Sequence, residues 1–144
     1  MKMNIKPSVQ IHSYRKTAKV LRAISQMNRL RILVLIGSGE TCACHLEAAL
    51  HLRQSYISQH LMALRHAGIV VTRREGRNVY YRIKDPAFLQ VIDCAAKSAG
   101  VSISDLRYPD RAIPLPGCTC PHCAPSTMVD FPRNRAIAAD ASSA

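Results

Sequence analysis

Acidic side chains are what this sequence has least of. Its 144 residues hold 9 Asp+Glu against 20 Lys+Arg, a formal net charge of +11 at pH 7. Residues 1 to 39 carry eight basic side chains and no acidic one, and residues 53 to 84 carry seven basic side chains and one acid, Glu75. Two such segments in so short a chain point to a polyanionic partner, of which nucleic acid is the commonest. Long apolar runs are missing too. No stretch approaches the roughly 20 residues of a membrane-spanning helix, and the opening MKMNIKPSVQIHSYRK has no apolar core of a secretory signal. The expectation is a soluble, cytoplasmic chain with no membrane partner. The sequence also lacks an internal repeat, and its length fits one domain with a tail.

What is present is helical periodicity, then a hairpin, then proline. Residues 14 to 25 place Ala18, Leu21 and Ile24 on one side, with Val20 beside them and Arg15, Lys16, Lys19 and Arg22 opposite. A second helix follows Asn28, with Leu30, Leu33, Val34 and Ile36 inward, and Gly37-Ser38-Gly39 ends it. A short helix takes in Leu46 to Leu50. Another covers residues 54 to 66, with Ile57, Leu61 and Leu64 on its inner side. The run from Ile69 to Arg73 and the run from Val79 to Ile83 read as strands joined by turn chemistry at Glu75-Gly76-Arg77-Asn78. Asp85-Pro86 then reads as a helix cap, opening a segment through Phe88, Leu89, Val91, Ile92, Ala95 and Ala96 to Gly100.

That last helix is too apolar for a surface position. Together with the helix at 14 to 25 it predicts burial by a second copy, in a two-fold homodimer. Prolines at 109, 114, 116, 121, 125 and 132 exclude long regular structure beyond Tyr108. The expected organisation is a DNA-binding and dimerisation domain over 1–107 and a flexible Pro/Cys-containing tail over 108–144.

A short helix, a break near Leu52-Arg53 and a second helix make a helix-turn-helix, whose second helix enters the major groove of double-stranded operator DNA by its N-terminal residues. Gln54, Ser55, Tyr56, Ser58 and Gln59 form its outward side. Small hydroxyls and amides there can reach base edges and phosphates. The basic hairpin with Arg73, Arg74, Arg77 and Asn78 lies beside it as a wing along the DNA backbone or a minor groove. The fold class is therefore mainly α with a β-hairpin wing, a winged helix-turn-helix.

The run Gln54-Ser55-Tyr56-Ile57-Ser58-Gln59-His60-Leu61, followed by Leu64, Ala67-Gly68-Ile69-Val70 and Arg73-Arg74-Glu75-Gly76-Arg77-Asn78-Val79-Tyr80-Tyr81, resembles the ArsR/SmtB repressors. The resemblance covers residues 14 to 100. It implies a homodimeric winged-helix repressor, with Ser55, Ser58, Gln59 and His60 on the recognition helix and Arg73, Arg74, Arg77 and Asn78 in the wing. His66 receives no role.

Six cysteines in a chain without an export signal read as metal ligands or redox switches, because the cytosol keeps thiols reduced. Cys42-Ala43-Cys44 opens the helix before the recognition helix, where a helix N-terminus lowers thiol pKa. Glu40-Thr41-Cys42-Ala43-Cys44-His45-Leu46 also resembles the segment with which many members of that family bind arsenic, antimony, cadmium or lead. Two thiolates are too few for a soft ion, which wants three or four. Cys118, Cys120 and Cys123 supply the rest, on their own subunit or across the dimer. The expected inducer is As(III), Sb(III), Cd(II) or Pb(II), released operator DNA the consequence, with no organic cofactor and no enzymatic activity.

Alternatives are a redox or persulfide switch on the same fold and, from Cys120-Pro121-His122-Cys123 alone, a thiol-disulfide oxidoreductase, which would need a βαβ context absent from the pattern. A constitutive structural zinc in the tail is a third. Cys94, among apolar neighbours, reads as a packed thiol. Asp85 matches the first ligand of the family's zinc site on the last helix, but Pro86-Ala87 follows where a histidine is wanted, which argues against that type of sensor.

Overall fold

A computed structural model of the chain describes residues 7–106, 118–121 and 123. The rest of the tail, including His122 and most of its prolines, lies outside the described residues. Among the described residues six helices and three strands follow in the order α1 (Pro7–Ile24), α2 (Met27–Ile36), β1 (Glu40–Cys42), α3 (Ala43–Leu50), α4 (Gln54–His66), β2 (Val70–Glu75), β3 (Asn78–Ile83), α5 (Ala87–Ser98) and α6 (Ile103–Leu106).

The core is aliphatic. Ile32 and Leu33 of α2, Leu46 of α3, Ile57, Leu61 and Leu64 of α4, and Ile69 and Val70 at the start of β2 are all essentially inaccessible. Burying each such side chain contributes about 1.5 to 3 kcal/mol. The expected inner side of α4 is therefore the observed one. On α2 the buried set is Ile32, Leu33, Leu35 and Ile36, with Leu30 and Val34 only partly covered. This helix is enclosed by α1, α3, α4, α5 and β3, so apolar residues on more than one side are buried. Gln26 caps it, its side chain accepting from Arg29 N at 3.0 Å.

α1 begins seven residues earlier than the sequence pattern indicates. Only its last turns reach the core, through Val20, Ala23 and Ile24, while every residue from Ile11 to Lys19 is exposed and Leu21 stays 52% accessible. Ile11, Tyr14, Ala18 and Leu21 thus form an uncovered stripe at i, i+3, i+7 and i+10. α5 is capped at its start by Asp85, whose Oδ1 accepts from Ala87 N at 2.8 Å. Ile92 and Ala96 are buried, Phe88 and Leu89 are half-buried, and Val91, Cys94 and Ala95 are exposed. Within one chain Cys94 is therefore not the packed thiol that its neighbours suggested.

The sheet is antiparallel with strand order β1-β3-β2. β2 and β3 are the expected hairpin, closed where Glu75 faces Asn78 across Gly76-Arg77, with Gly76 at φ +58. β1 is an addition. It pairs Glu40 with Arg82, Thr41 with Tyr81 and Cys42 with Tyr80, so the start of α3 is attached to the root of the wing by backbone hydrogen bonds.

Candidate functional site

Two surfaces and one buried cluster carry the chemistry. α3 and α4 are joined by His51, which adopts the left-handed conformation at φ 53, and by Leu52, which packs on the core. The turn fixes α4 so that Gln54, Ser55, Tyr56, Ser58 and Gln59 all face outward. Arg53 precedes the helix without a side-chain cap bond, which leaves first-turn N–H groups to whatever anion approaches. Tyr56 is held from one side by Asn28, whose Nδ2 donates to its hydroxyl at 3.2 Å.

His60 does not share that face. It is 8% accessible, packs edge-on against the Tyr56 ring with centroids 4.4 Å apart, and its Nε2 has no hydrogen-bond partner among the described residues. Burial and then the nearby Arg29 charge pull its pKa below the ordinary 6.5. The expectation that His60 lies against DNA is therefore corrected: it sits two turns into the helix on the side turned toward the core.

In the wing, Arg74 and Arg77 are exposed and Asn78 is half-buried. Arg74 Nε donates to the Gly76 carbonyl at 3.3 Å. Arg73 is engaged differently. Its guanidinium holds Glu40 in bidentate fashion (Nη2 to Oε1 2.5 Å, Nε to Oε2 3.2 Å), donates to Glu75 Oε2 at 2.5 Å, and lies 4.8 Å from the centre of the Tyr80 ring. Both carboxylates raise its pKa. Arg73 thus ties β1 to the wing, and its charge is already answered by two acids.

The cluster lies behind Tyr80. Cys42, Tyr80, Cys118, Cys120 and Cys123 are buried together, with Cys44 and Ala48 packed against them. Cys42 ends β1 and caps α3, its Sγ accepting from His45 N at 3.3 Å. Cys44 Sγ lies 2.7 Å from Cys42 Sγ and 3.6 Å from Cys118 Sγ, and Cys118 Sγ lies 3.4 Å from Cys120 Sγ. These four sulfur atoms fall within 4.8 Å of one another, and none of the six cysteines is in a disulfide. Sulfur ligands on one tetrahedral ion with metal–sulfur bonds of 2.3 Å stand about 3.8 Å apart, so the Cys44–Cys118 and Cys118–Cys120 spacings are close to those of a four-coordinate site, whereas Cys42 and Cys44, at 2.7 Å, would have to separate to share one ion. The tail cysteines meet Cys42 and Cys44 of their own chain.

The helix start does act on Cys42, since the His45 N–H lowers its pKa, but burial is the larger influence and holds the thiol well above its ordinary 9.0. The same is true of Cys118, where burial dominates and hydrogen bonds with Cys120, Cys44 and Cys123 add to it. The expected lowering at Cys42 is corrected accordingly. These are stored thiols rather than standing thiolates, and an ion entering the cluster has to displace protons.

His45 was not singled out by sequence. Its Nδ1 lies 3.2 Å from Cys123 Sγ, and with Cys118, Cys120 and Cys123 it forms a second set of four donors within 4.8 Å. The spacing from Cys42, three residues along a helix, places the two on neighbouring positions of one face. Tyr80 and Glu40 also went unmarked, because their roles depend on β1.

Residues 27–72 match the family described as bacterial regulatory protein, arsR family. The chain is 39% identical over 92 residues to the arsenic resistance transcriptional regulator ArsR1 of Pseudomonas putida, covering 63% of this chain and 71% of that protein. It is 35% identical over 82 residues to the HTH-type transcriptional repressor SmtB of Mycobacterium tuberculosis, covering 57% and 61%. Among solved structures, reduced HlyU from Vibrio cholerae superposes with a TM-score of 0.57 at 30% identity, over 62% of this chain and 94% of that one. The homodimeric winged helix-turn-helix DNA-binding domain of Mb0332 from Mycobacterium bovis gives 0.61 at 28% identity, over 68% and 91%.

Proposed function

The chain belongs to the arsR family of bacterial regulatory proteins, and from that premise we propose that it is a homodimeric repressor that leaves operator DNA when a soft metal or metalloid ion occupies its thiol cluster. It is a DNA-binding transcriptional regulator and not an enzyme, as its relatives and structural neighbours are. Among the described residues no helix is long and apolar enough to cross a membrane.

The observation that carries the reading is the convergence of Cys42, Cys44, Cys118 and Cys120 at the junction of β1 and α3. Every element that would read DNA is attached there. α3 packs on α4, which presents Gln54, Ser55, Ser58 and Gln59. β1 is hydrogen-bonded to β3 and, through Glu40, ion-paired to Arg73 of the wing. When bound, a soft ion replaces thiol protons and pins several sulfur atoms to one centre. The chain's own part would be geometric: Cys42 and Cys44, whose sulfur atoms lie 2.7 Å apart, would have to separate to hold one ion, and because Cys42 both ends β1 and caps α3, that adjustment would shift the two elements together. In a two-fold dimer, recognition helices must meet major grooves about 34 to 36 Å apart, so a small tilt of α3 and α4 spoils both contacts at once.

The inducer class remains that of three or four sulfur donors, namely As(III), Sb(III), Cd(II) or Pb(II). Arsenic is named in the description of the Pseudomonas putida relative. The donor set as it stands, with four sulfur atoms, favours a four-coordinate divalent ion. A redox reading has one observation in its favour, the 2.7 Å approach of Cys42 and Cys44, and one against it, the burial that keeps Cys42 protonated and therefore a poor nucleophile.

The test is fluorescence anisotropy of the reduced, full chain on its own promoter DNA at fixed salt, with As(III), Cd(II), Pb(II), Zn(II) or peroxide added separately. Release by a soft ion that disappears in Cys42→Ser and Cys44→Ser is the expected result. Release by peroxide alone transfers the function to the redox reading.

A further inference from the structure

The cluster holds six donors, not four, and they divide into two sets that share an edge. Cys42, Cys44, Cys118 and Cys120 make one set, and His45, Cys118, Cys120 and Cys123 make the other. The shared pair, Cys118 and Cys120, has its sulfur atoms 3.4 Å apart. The two remaining donors of the second set, His45 Nδ1 and Cys123 Sγ, lie 3.2 Å apart. The geometry points to a dinuclear cluster in each chain: two tetrahedral divalent d10 ions, one on each set, bridged by the thiolates of Cys118 and Cys120. This rests on the reading of the thiols as metal ligands and extends it to a second ion and, beyond the five cysteines, to His45.

The donor arithmetic closes. Two four-coordinate ions need eight bonds, and six donors supply eight when two of them bridge. Thiolate sulfur has the lone pairs to bridge and an imidazole nitrogen has not, which agrees with sulfur at both shared positions and the histidine at a terminal one. Binding is charge-balanced as well. Five thiols lose five protons, two divalent ions bring four positive charges, and the cluster carries a net charge of −1. Imidazole and thiolate together are the donors that d10 ions such as Zn(II) and Cd(II) accept. As(III), with three thiolates, would have no use for His45.

A single ion explains the first set and leaves the second as packing. The two outcomes separate by counting. Cd(II) alone is the probe: the reduced full chain is equilibrated against buffered Cd(II), and bound cadmium and chains are quantified, with cadmium NMR on the same sample. Two Cd(II) per chain are expected, falling to one in the His45→Gln, Cys123→Ser double variant, which keeps Cys42, Cys44, Cys118 and Cys120. In the unaltered chain the two cadmium resonances should show mutual scalar coupling through the bridging sulfurs, a readout that does not depend on any variant folding. One Cd(II) per chain in the unaltered protein overturns the proposal, and so do two that survive the double substitution. Operator release by the first equivalent with a final count of one would leave the repressor reading standing and remove only the cluster. A count of two without any operator release would do the reverse.

Discussion

Arg73, Arg74 and Arg77 look interchangeable in the sequence, yet the structure gives them different work. Arg73 is held by Glu40 and Glu75 over Tyr80, whereas Arg74 and Arg77 project from the wing. Replacing Arg74 or Arg77 by Ala should weaken operator binding across sequences and flatten the salt dependence by about one phosphate contact each. Arg73→Ala should leave the salt slope nearly unchanged, which a titration of affinity against salt would show. His60 gives a second prediction. Its pKa in the folded chain is lowered from 6.5 by burial first and Arg29 second. Above 6.5 both folded and unfolded chains hold it neutral, and stability is unaffected. Below 6.5 the unfolded chain takes up a proton that the folded chain resists, so stability falls as pH falls toward the folded value. Urea midpoints should therefore drop more steeply between neutral and mildly acidic pH in the native chain than in His60→Gln. Neither distinction was legible in the sequence, because the partner of Arg73 comes from a strand 33 residues away and the burial of His60 depends on how α2 crosses α4.

At the level of elements, the helices and the β-hairpin were legible, and the three-residue strand β1 was not. α4 was bounded correctly, since Ile57, Leu61 and Leu64 repeat at helical spacing and all three are buried. Truncating Leu61 to Ala should destabilise the domain by about 2 to 5 kcal/mol in chemical denaturation. β1 was missed because a strand of three residues, Glu40-Thr41-Cys42, has no period to recognise. It exists only through its pairing with β3. That pairing also explains the misjudged thiol. A cysteine at a helix start was expected to be acidic, but this one ends a strand opposite Tyr80 and is covered by the tail. The apolar side of α1 was legible as a periodic stripe, and Ala18 and Leu21 belong to the part of it that the single chain leaves uncovered, where a second copy was expected.

Across the whole molecule, the winged helix-turn-helix was readable from spacing and charge, and the five cysteines that spacing singled out do lie close together. The approach of Cys118 to Cys44 was not readable, since no local pattern encodes a contact between residues 74 apart. The proposed dimer is supported by what one chain leaves open. Ile11, Tyr14 and Leu21 are 54%, 67% and 52% accessible along one side of α1, and Val91 of α5 is 37% accessible, an arrangement that monomeric proteins seldom leave in water. Leu21→Glu should shift sedimentation from dimer toward monomer and lower operator affinity at least tenfold, while the thermal stability of the domain core changes little.

Coupling between the thiol cluster and the reading surface is the central claim, and reciprocity tests it most directly. Cd(II) affinity would be measured at constant pH and salt for the free protein and for the protein saturated with operator DNA. If metal and DNA favour different arrangements of α3 and β1, operator must weaken Cd(II) binding by the same factor by which Cd(II) weakens operator binding, about 5- to 150-fold for a coupling of 1 to 3 kcal/mol. Equal Cd(II) affinity with and without operator would contradict the account.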